Sequence, residues 1–384
     1  MGCCTYCVLV VAVLFGVIYS GLLTQYGVFY HAGKYALEVT GMPFGVGFGT
    51  LTLPPGGFKS VFDYSDVKPH ALDGKVALVT GGNAGLGYYT ALHLAEKGAR
   101  TVIACRNKDK GNKAVADIKA AIGSDTKGTI EMMILDTSSM ESVSKFTKEF
   151  KSKFKQLDIF VQNAGIANIP IDSDSINKDG IETIFATNHL GHFKITLDLL
   201  DLIDKAADIN KDARVVFVAA PFVFEQDKVY TDLKSLNAAA KGANLQALNP
   251  MYGHSKVCNV LFCTELARRL RSKRIYINSL HPGGVISNIW GPIVASWKKA
   301  LPGPLKAWPQ RMLDYVMNNM FFTSEQGALT QFYLAASPDV ATKGTTGKYF
   351  HQVAFEVPLP AWVTAEKGKK LATDLWKFSL DLLN

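Results

Sequence analysis

Three absences narrow this 384-residue chain before any motif is sought. It has no Asn-X-Ser/Thr acceptor, and its six cysteines form no disulfide framework. Cys3, Cys4 and Cys7 crowd the N-terminus, while Cys105, Cys258 and Cys263 sit singly in apolar segments and read as buried thiols. That usage excludes a stapled secreted domain and suits a reducing compartment. No block of one charge sign occurs either. The net charge of +8 is spread through mixed-sign stretches such as residues 145–155, the pattern of solvated helix faces. No nucleic-acid partner is expected. Nucleophile elbows, phosphate-transfer loops and zinc knuckles are missing too. His189 and His192 stand three apart without a third ligand at useful spacing, so they read as helix packing and no metal is expected.

Charge disappears altogether over residues 7–23, and the apolar character runs on to about residue 30. That run approaches the roughly 20 residues needed to cross a bilayer. It has no basic segment ahead of it, as a cleaved signal peptide would, and no polar face, as a core helix would. Residues 1–30 are therefore expected to be a hydrophobic membrane anchor. Lys34, the first cation beyond it, favours a cytosolic body. Residues 31–72 hold a Gly- and Pro-rich apolar stretch, which is either a linker or a second shallow membrane contact.

From residue 73 the pattern changes to alternating strands and helices. Apolar runs with β-branched residues fall at 75–79, 101–105, 130–135, 157–161, 215–218 and 275–278, with helical spacing between them. Such alternation predicts an α/β fold, a doubly wound parallel sheet (Rossmann fold), as a single catalytic domain over 73–384. Directly after the first run comes Thr80-Gly81-Gly82-Asn83-Ala84-Gly85-Leu86-Gly87. Gly81 would allow the tight turn, Gly85 a close approach of backbone to a pyrophosphate, and Gly87 close packing of helix on strand. An acidic residue about 20 positions further on would grip a ribose 2′-hydroxyl. Arg106-Asn107 stands there instead, and a guanidinium can clamp a 2′-phosphate. The expected cofactor is NADP(H).

Tyr252 and Lys256 lie four apart in a helical stretch and share one face. A phenol beside an ammonium can move a proton while a nicotinamide moves a hydride. A free phenol, with a pKa of about 10, is sluggish near neutrality, and a neighbouring cation is expected to lower it.

These segments carry a resemblance. With Leu135-Asp136, Asn163-Ala164-Gly165, Asn188-His189-Leu190-Gly191-His192-Phe193, Tyr252-Gly253-His254-Ser255-Lys256 and His281-Pro282-Gly283-Gly284-Val285, the chain resembles the short-chain dehydrogenase/reductase family. Within it, the branch of the retinol dehydrogenases and the WW-domain oxidoreductase is the most similar, over roughly residues 73–350. The resemblance implies that Asp136 and Thr137 border the adenine, and that Asn163, Ala164 and Gly165 line the wall behind the cofactor with Asn83 and Leu86 in its loop. It implies that Asn188 kinks its helix and holds a relay water, and that Pro282, Gly283, Val285 and Ser287 cover the nicotinamide. It also implies a serine at the end of the fifth strand, where this chain has Ala220.

The sequence thus predicts a membrane-anchored NADP(H)-dependent oxidoreductase that interconverts a carbonyl and an alcohol, with Tyr252 as acid and base. Trp290, Trp297, Trp308, Phe321 and Phe322 interleave with basic residues in an expected lid over 288–323, which suits a lipophilic substrate such as a retinoid, steroid or lipid aldehyde. The expected location is the endoplasmic reticulum or a lipid droplet, with the catalytic domain facing the cytosol and self-association into a homo-oligomer left open. Ala220 motivates an alternative, a catalytically impaired NADP-binding scaffold at a membrane; an engineered replacement at that position is a third account.

Overall fold

The computed structural model describes residues 62–169, 174–224, 227–241, 250–285 and 322–384. The expected anchor at 1–30, Ser287, and the lid except for Phe322 and Thr323 lie outside the described residues. Among the described residues no helix is long and apolar enough to cross a membrane.

The chain runs β1 (Val76–Thr80), α1 (Gly85–Glu96), β2 (Arg100–Cys105), α2 (Lys108–Ala121), β3 (Thr129–Ile134), α3 (Met140–Lys153) and β4 (Ile159–Gln162). It continues through α4 (Thr183–Phe185), a π-helical turn (Ala186–Leu190), α5 (Gly191–Asp198), α6 (Leu200–Asn210) and β5 (Ala213–Val218). Then come α7 (Leu233–Lys241), α8 (Pro250–Arg269), β6 (Ile275–Leu280), α9 (Ser324–Ala336), α10 (Pro338–Thr342), β7 (Tyr349–His351), β8 (Phe355–Val357), α11 (Ala361–Thr364) and α12 (Glu366–Asp381).

The strands form one sheet in the order β3-β2-β1-β4-β5-β6-β7-β8. All neighbours are parallel except β8, which pairs antiparallel with β7. Burial explains the strand sequences. Every residue of β1, β4 and β5 is buried, so these central strands are apolar nearly throughout. β3 is the edge and carries exposed residues at both ends. Sequence order reverses between β1 and β4, and such a switch point opens a crevice at the carboxyl ends of the strands.

Each sheet face has its own apolar core. One is built with α3, α5, α6, α8 and α12, the other with α1, α2 and α9. The C-terminal helix α12 closes the first. Leu375 and Phe378 are buried, the Trp376 ring lies 5.1 Å from that of Phe193 and 5.7 Å from that of Phe262, and Ser379 Oγ is 3.0 Å from His189 Nε2.

The folded body begins earlier than residue 73. Phe62, Val67 and Leu72 are buried, the Phe62 ring meets those of Phe332 and Tyr333, and the Tyr64 hydroxyl donates to Glu96 at 2.8 Å. Residues 62–72, read as the end of a linker, are instead packed onto α1 and α9.

Candidate active site

The glycine turn fits a dinucleotide. Gly81 and Gly85 adopt φ of +68° and +58°, a region costly for any side chain. A Cβ on Gly87 would come within 2.5 Å of both Gly81 O and Asn163 Nδ2, so the helix can sit this close to the turn only without one. Among the described residues a Cβ on Gly85 would meet nothing nearer than Ser324 Oγ at 3.8 Å, so these residues leave that side of the loop open. Ala84, the N-cap of α1, makes no side-chain cap, and no acidic residue lies in the first turn. Helix amides left without a side-chain acceptor form a site for a phosphate. The residues present therefore fit the pyrophosphate of a nicotinamide dinucleotide.

At the end of β2 the two candidates divide. Asn107 caps α2, its side chain accepting from Lys110 N at 2.9 Å. Arg106 is exposed and makes no hydrogen bond or ion pair among the described residues. Beyond β3, Asp136 Oδ1 accepts from Ser138 N at 2.9 Å and from Ser138 Oγ at 2.6 Å, which fixes that turn. Thr137 is buried there.

The wall behind the loop is a continuous polar network. Asn163 Nδ2 donates to Thr80 O at 2.9 Å, and its Oδ1 accepts from Gln331 Nε2 at 3.2 Å. Gln331 Oε1 in turn accepts from Thr90 Oγ1 at 2.9 Å. Thr80 Oγ1 accepts the backbone N–H groups of Asn163 and Ala164, both at 3.0 Å. It also lies 2.8 Å from His192 Nε2, while His192 Nδ1 is 3.0 Å from Asn188 O. A carbonyl oxygen only accepts, so Nδ1 carries the proton and Thr80 donates to Nε2. Burial holds this imidazole down at about 4, which keeps it neutral. Both ring nitrogens of His192 are thus engaged by protein groups. Sequence reading missed Thr80, His192 and Gln331 as site residues. The available signal was a threonine ending an otherwise apolar, fully buried strand.

Tyr252 and Lys256 both lie on α8. Lys256 Nζ sits 5.7 Å from the centre of the Tyr252 ring and donates to Val218 O at 2.8 Å, at the end of β5. Asn188 occupies the π-helical turn, so its helix is interrupted where the resemblance implied a kink. Its side chain is committed to protein groups. Oδ1 accepts from Ile166 N at 2.8 Å, and Nδ2 donates to Ile166 O and to Ser255 Oγ, both at 2.9 Å. Gly165 fills the remaining gap, since a Cβ there would lie 3.1 Å from Asn188 Oδ1 and 3.4 Å from Lys256 Nζ.

Burial, the one cause acting on this pair, moves both groups. It pushes the Tyr252 phenol up to about 12 and brings the Lys256 ammonium down to about 8. The lowering expected for the phenol is absent from the protein alone.

Ala220 is buried, two residues beyond β5. The neighbouring Phe222 ring stands edge-on to Tyr252 at 5.7 Å. Pro282, Gly283 and Val285 follow β6. A Cβ on Gly283 (φ +92°) would come within 2.9 Å of Phe322, and Phe322 N donates to Gly284 O at 2.8 Å.

Residues 75–230 match the short chain dehydrogenase family model. Retinol dehydrogenase 14 of Mus musculus is 34% identical over 79% of this chain and 85% of its own length. The chain belongs to the short chain dehydrogenase family. Within the family it is similar to retinol dehydrogenase 12 of Mus musculus, 33% identical over 81% of this chain and 87% of that one. It is also similar to the human WW domain-containing oxidoreductase, 32% identical over 81% of this chain and 68% of that one. Among solved structures, L-sorbose reductase from Gluconobacter frateurii, complexed with NADPH and L-sorbose, superposes with a TM-score of 0.56 at 19% identity. That match covers 74% of this chain and 97% of the other, and is a likeness of fold. Short chain dehydrogenases are oxidoreductases that use NAD or NADP, and this chain lies in their retinol dehydrogenase-like branch.

Proposed function

We propose that the chain is an NADP(H)-dependent oxidoreductase interconverting a carbonyl and an alcohol on a lipophilic substrate, such as a retinoid, steroid or lipid aldehyde. We further propose that residues 1–30 hold it in the membrane of the endoplasmic reticulum or a lipid droplet, with the domain on the cytosolic side. The observation that carries the reading is the convergence of Tyr252, Lys256 and Asn188 beside an open glycine cradle. Arg106 at the end of β2, exposed and without a partner among the described residues, supports a 2′-phosphate, and thus NADP.

Gly81, Gly85 and Gly87 with the first turn of α1 would hold the pyrophosphate, and Arg106 the 2′-phosphate. A reduced nicotinamide, when bound there, would supply a hydride to the substrate carbon. Tyr252 gives its phenolic proton to the substrate oxygen. A phenol held at about 12 stays protonated at neutrality, so the acid is charged for reduction. Lys256, whose ammonium lies 5.7 Å from the ring centre, stabilises the tyrosinate by its charge, and solvent resupplies the proton. Its bond to Val218 O keeps the ammonium in place. Ala220 offers no donor to the substrate oxygen, which favours a second reading of weakened turnover in a protein retained for binding NADP.

Tyr252→Phe separates a reductase from other readings. NADPH oxidation by retinal or a long aldehyde should fall at least about a hundredfold while NADPH still binds, general acid catalysis being worth about 10²–10⁴. Equal rates in the two proteins would discard the mechanism.

A further inference from the structure

The open side of the glycine turn faces a second helix. Ser324, whose Oγ is the nearest described atom to a Cβ built on Gly85, is the first residue of α9. Several contacts fix α9 in that place. A Cβ on Gly327, one turn further along, would come within 2.7 Å of both Leu86 Cδ2 and Val285 Cγ2. The first turn of α9 therefore lies directly on the glycine turn and on the segment that follows β6. Thr323 caps the helix in both directions, its Oγ1 accepting from Gln326 N at 3.2 Å and its N donating to Gln326 Oε1 at 3.0 Å. Two turns on, the fully buried Gln331 joins Asn163 of the wall to Thr90 of α1. The cap falls to Thr323, so the partly exposed Ser324 hydroxyl is not part of it, and Glu325 beside it is exposed.

We infer that Ser324 is a cofactor-binding residue, its hydroxyl donating to the pyrophosphate from the α9 side and closing the glycine cradle. The inference rests on the reading that the chain binds a nicotinamide dinucleotide, which it deepens by adding a ligand from a distant part of the sequence. A pyrophosphate seated on the free amides of α1 takes up the space that the missing side chain of Gly85 leaves. Those amides approach it from one side only. A hydroxyl across the gap meets an anionic oxygen turned away from them, and a bond to a charged acceptor is among the stronger kinds.

The test measures NADPH binding to the full chain by calorimetry. Ser324→Ala should weaken it about tenfold, the worth of one charge-assisted hydrogen bond, while Ser324→Thr, which keeps the hydroxyl, stays within about twofold of wild type. Ser324→Glu sets a carboxylate against the phosphates and should cost at least about a hundredfold, whereas Ser324→Gln, of the same size, should lose no more than the alanine variant. Binding of 2′-AMP, which has the adenine and the 2′-phosphate but no pyrophosphate, should be the same in every one of these proteins. NADPH bound equally well by the alanine variant, equal losses in the Glu and Gln variants, or a matching loss for 2′-AMP overturns the assignment. Should Ser324→Glu fail to fold, the alanine and threonine variants decide by themselves. A wild type that binds NADH in place of NADPH is tested with NADH against adenosine; the Arg106 reading then falls, and Ser324 stands or falls by the same ratios. A wild type that binds neither nucleotide removes the dinucleotide reading, and this assignment with it.

Discussion

Replacing Asn188 by alanine removes three hydrogen bonds from a side chain with no solvent exposure. A neutral intramolecular bond contributes about 1 kcal/mol net, and stranding a buried backbone group costs about 1–3 kcal/mol. Ile166 is only half-buried, so water recovers part of that cost. The expected loss is about 2–4 kcal/mol, or roughly 4–8 °C in melting temperature for a domain of this size. Asn188→Asp should fall between, because a carboxylate still accepts from Ile166 N but cannot donate to Ile166 O or Ser255 Oγ. Calorimetry of the three proteins is the assay, with NADPH affinity as a control that the glycine turn survives. The reductase rate should drop in both variants, since Ile166 and Ser255 sit beside Gly165 and Lys256. An alanine variant melting within about 1 °C of wild type would refute the claim that this amide clamps the site.

Ala220→Ser should raise kcat by about 10²–10³ if the missing donor limits the reaction, the value of one preorganised hydrogen bond to a developing oxyanion; an unchanged rate means another group already serves. Arg106→Glu should weaken NADPH about 10–100-fold and NADH far less, since charge-assisted bonds are worth about 1.5–3 kcal/mol; equal losses would remove Arg106 from the cofactor site. Burial lowers His192, His254 and His351 to about 4 and His189 to about 3, so the stability they contribute is present above about 6.5 and lost as pH falls through those values. Buried Glu182, raised to about 7, works the other way: its contribution is complete below about 4.5 and lost as pH rises through 7. Four groups against one predict a melting temperature falling from pH 6.5 to 4, and falling more steeply in Glu182→Gln; a flat profile would refute the burial argument.

Much of this was legible in local pattern. Six strands were readable because each is an apolar run, buried throughout in the central strands and only in part at the β3 edge, and the glycine turn because its backbone demands are met by residue type alone. The spacing of Tyr252 and Lys256 put them on one helix face, where Nζ reaches the ring. What stayed hidden depends on distant partners. Thr80 meets His192, Gln331 meets Asn163 and His189 meets Ser379 across long stretches of chain, and nothing near any of them in sequence announces the other. β7 and β8, three residues each, are too short to show a period. Residues 62–72 looked like linker because Phe62, Val67 and Leu72 are spaced too widely to mark an element, although each is buried.

α12 carries a consequence for synthesis. The outer faces of α5 and α8 wait for Leu375, Trp376 and Phe378, which are made after every strand of the sheet. Until then Phe193 and Phe262 lack their cover, however complete the sheet. A chain that lacks this helix would therefore carry a complete sheet with a sticky flank, a substrate for chaperones and proteases.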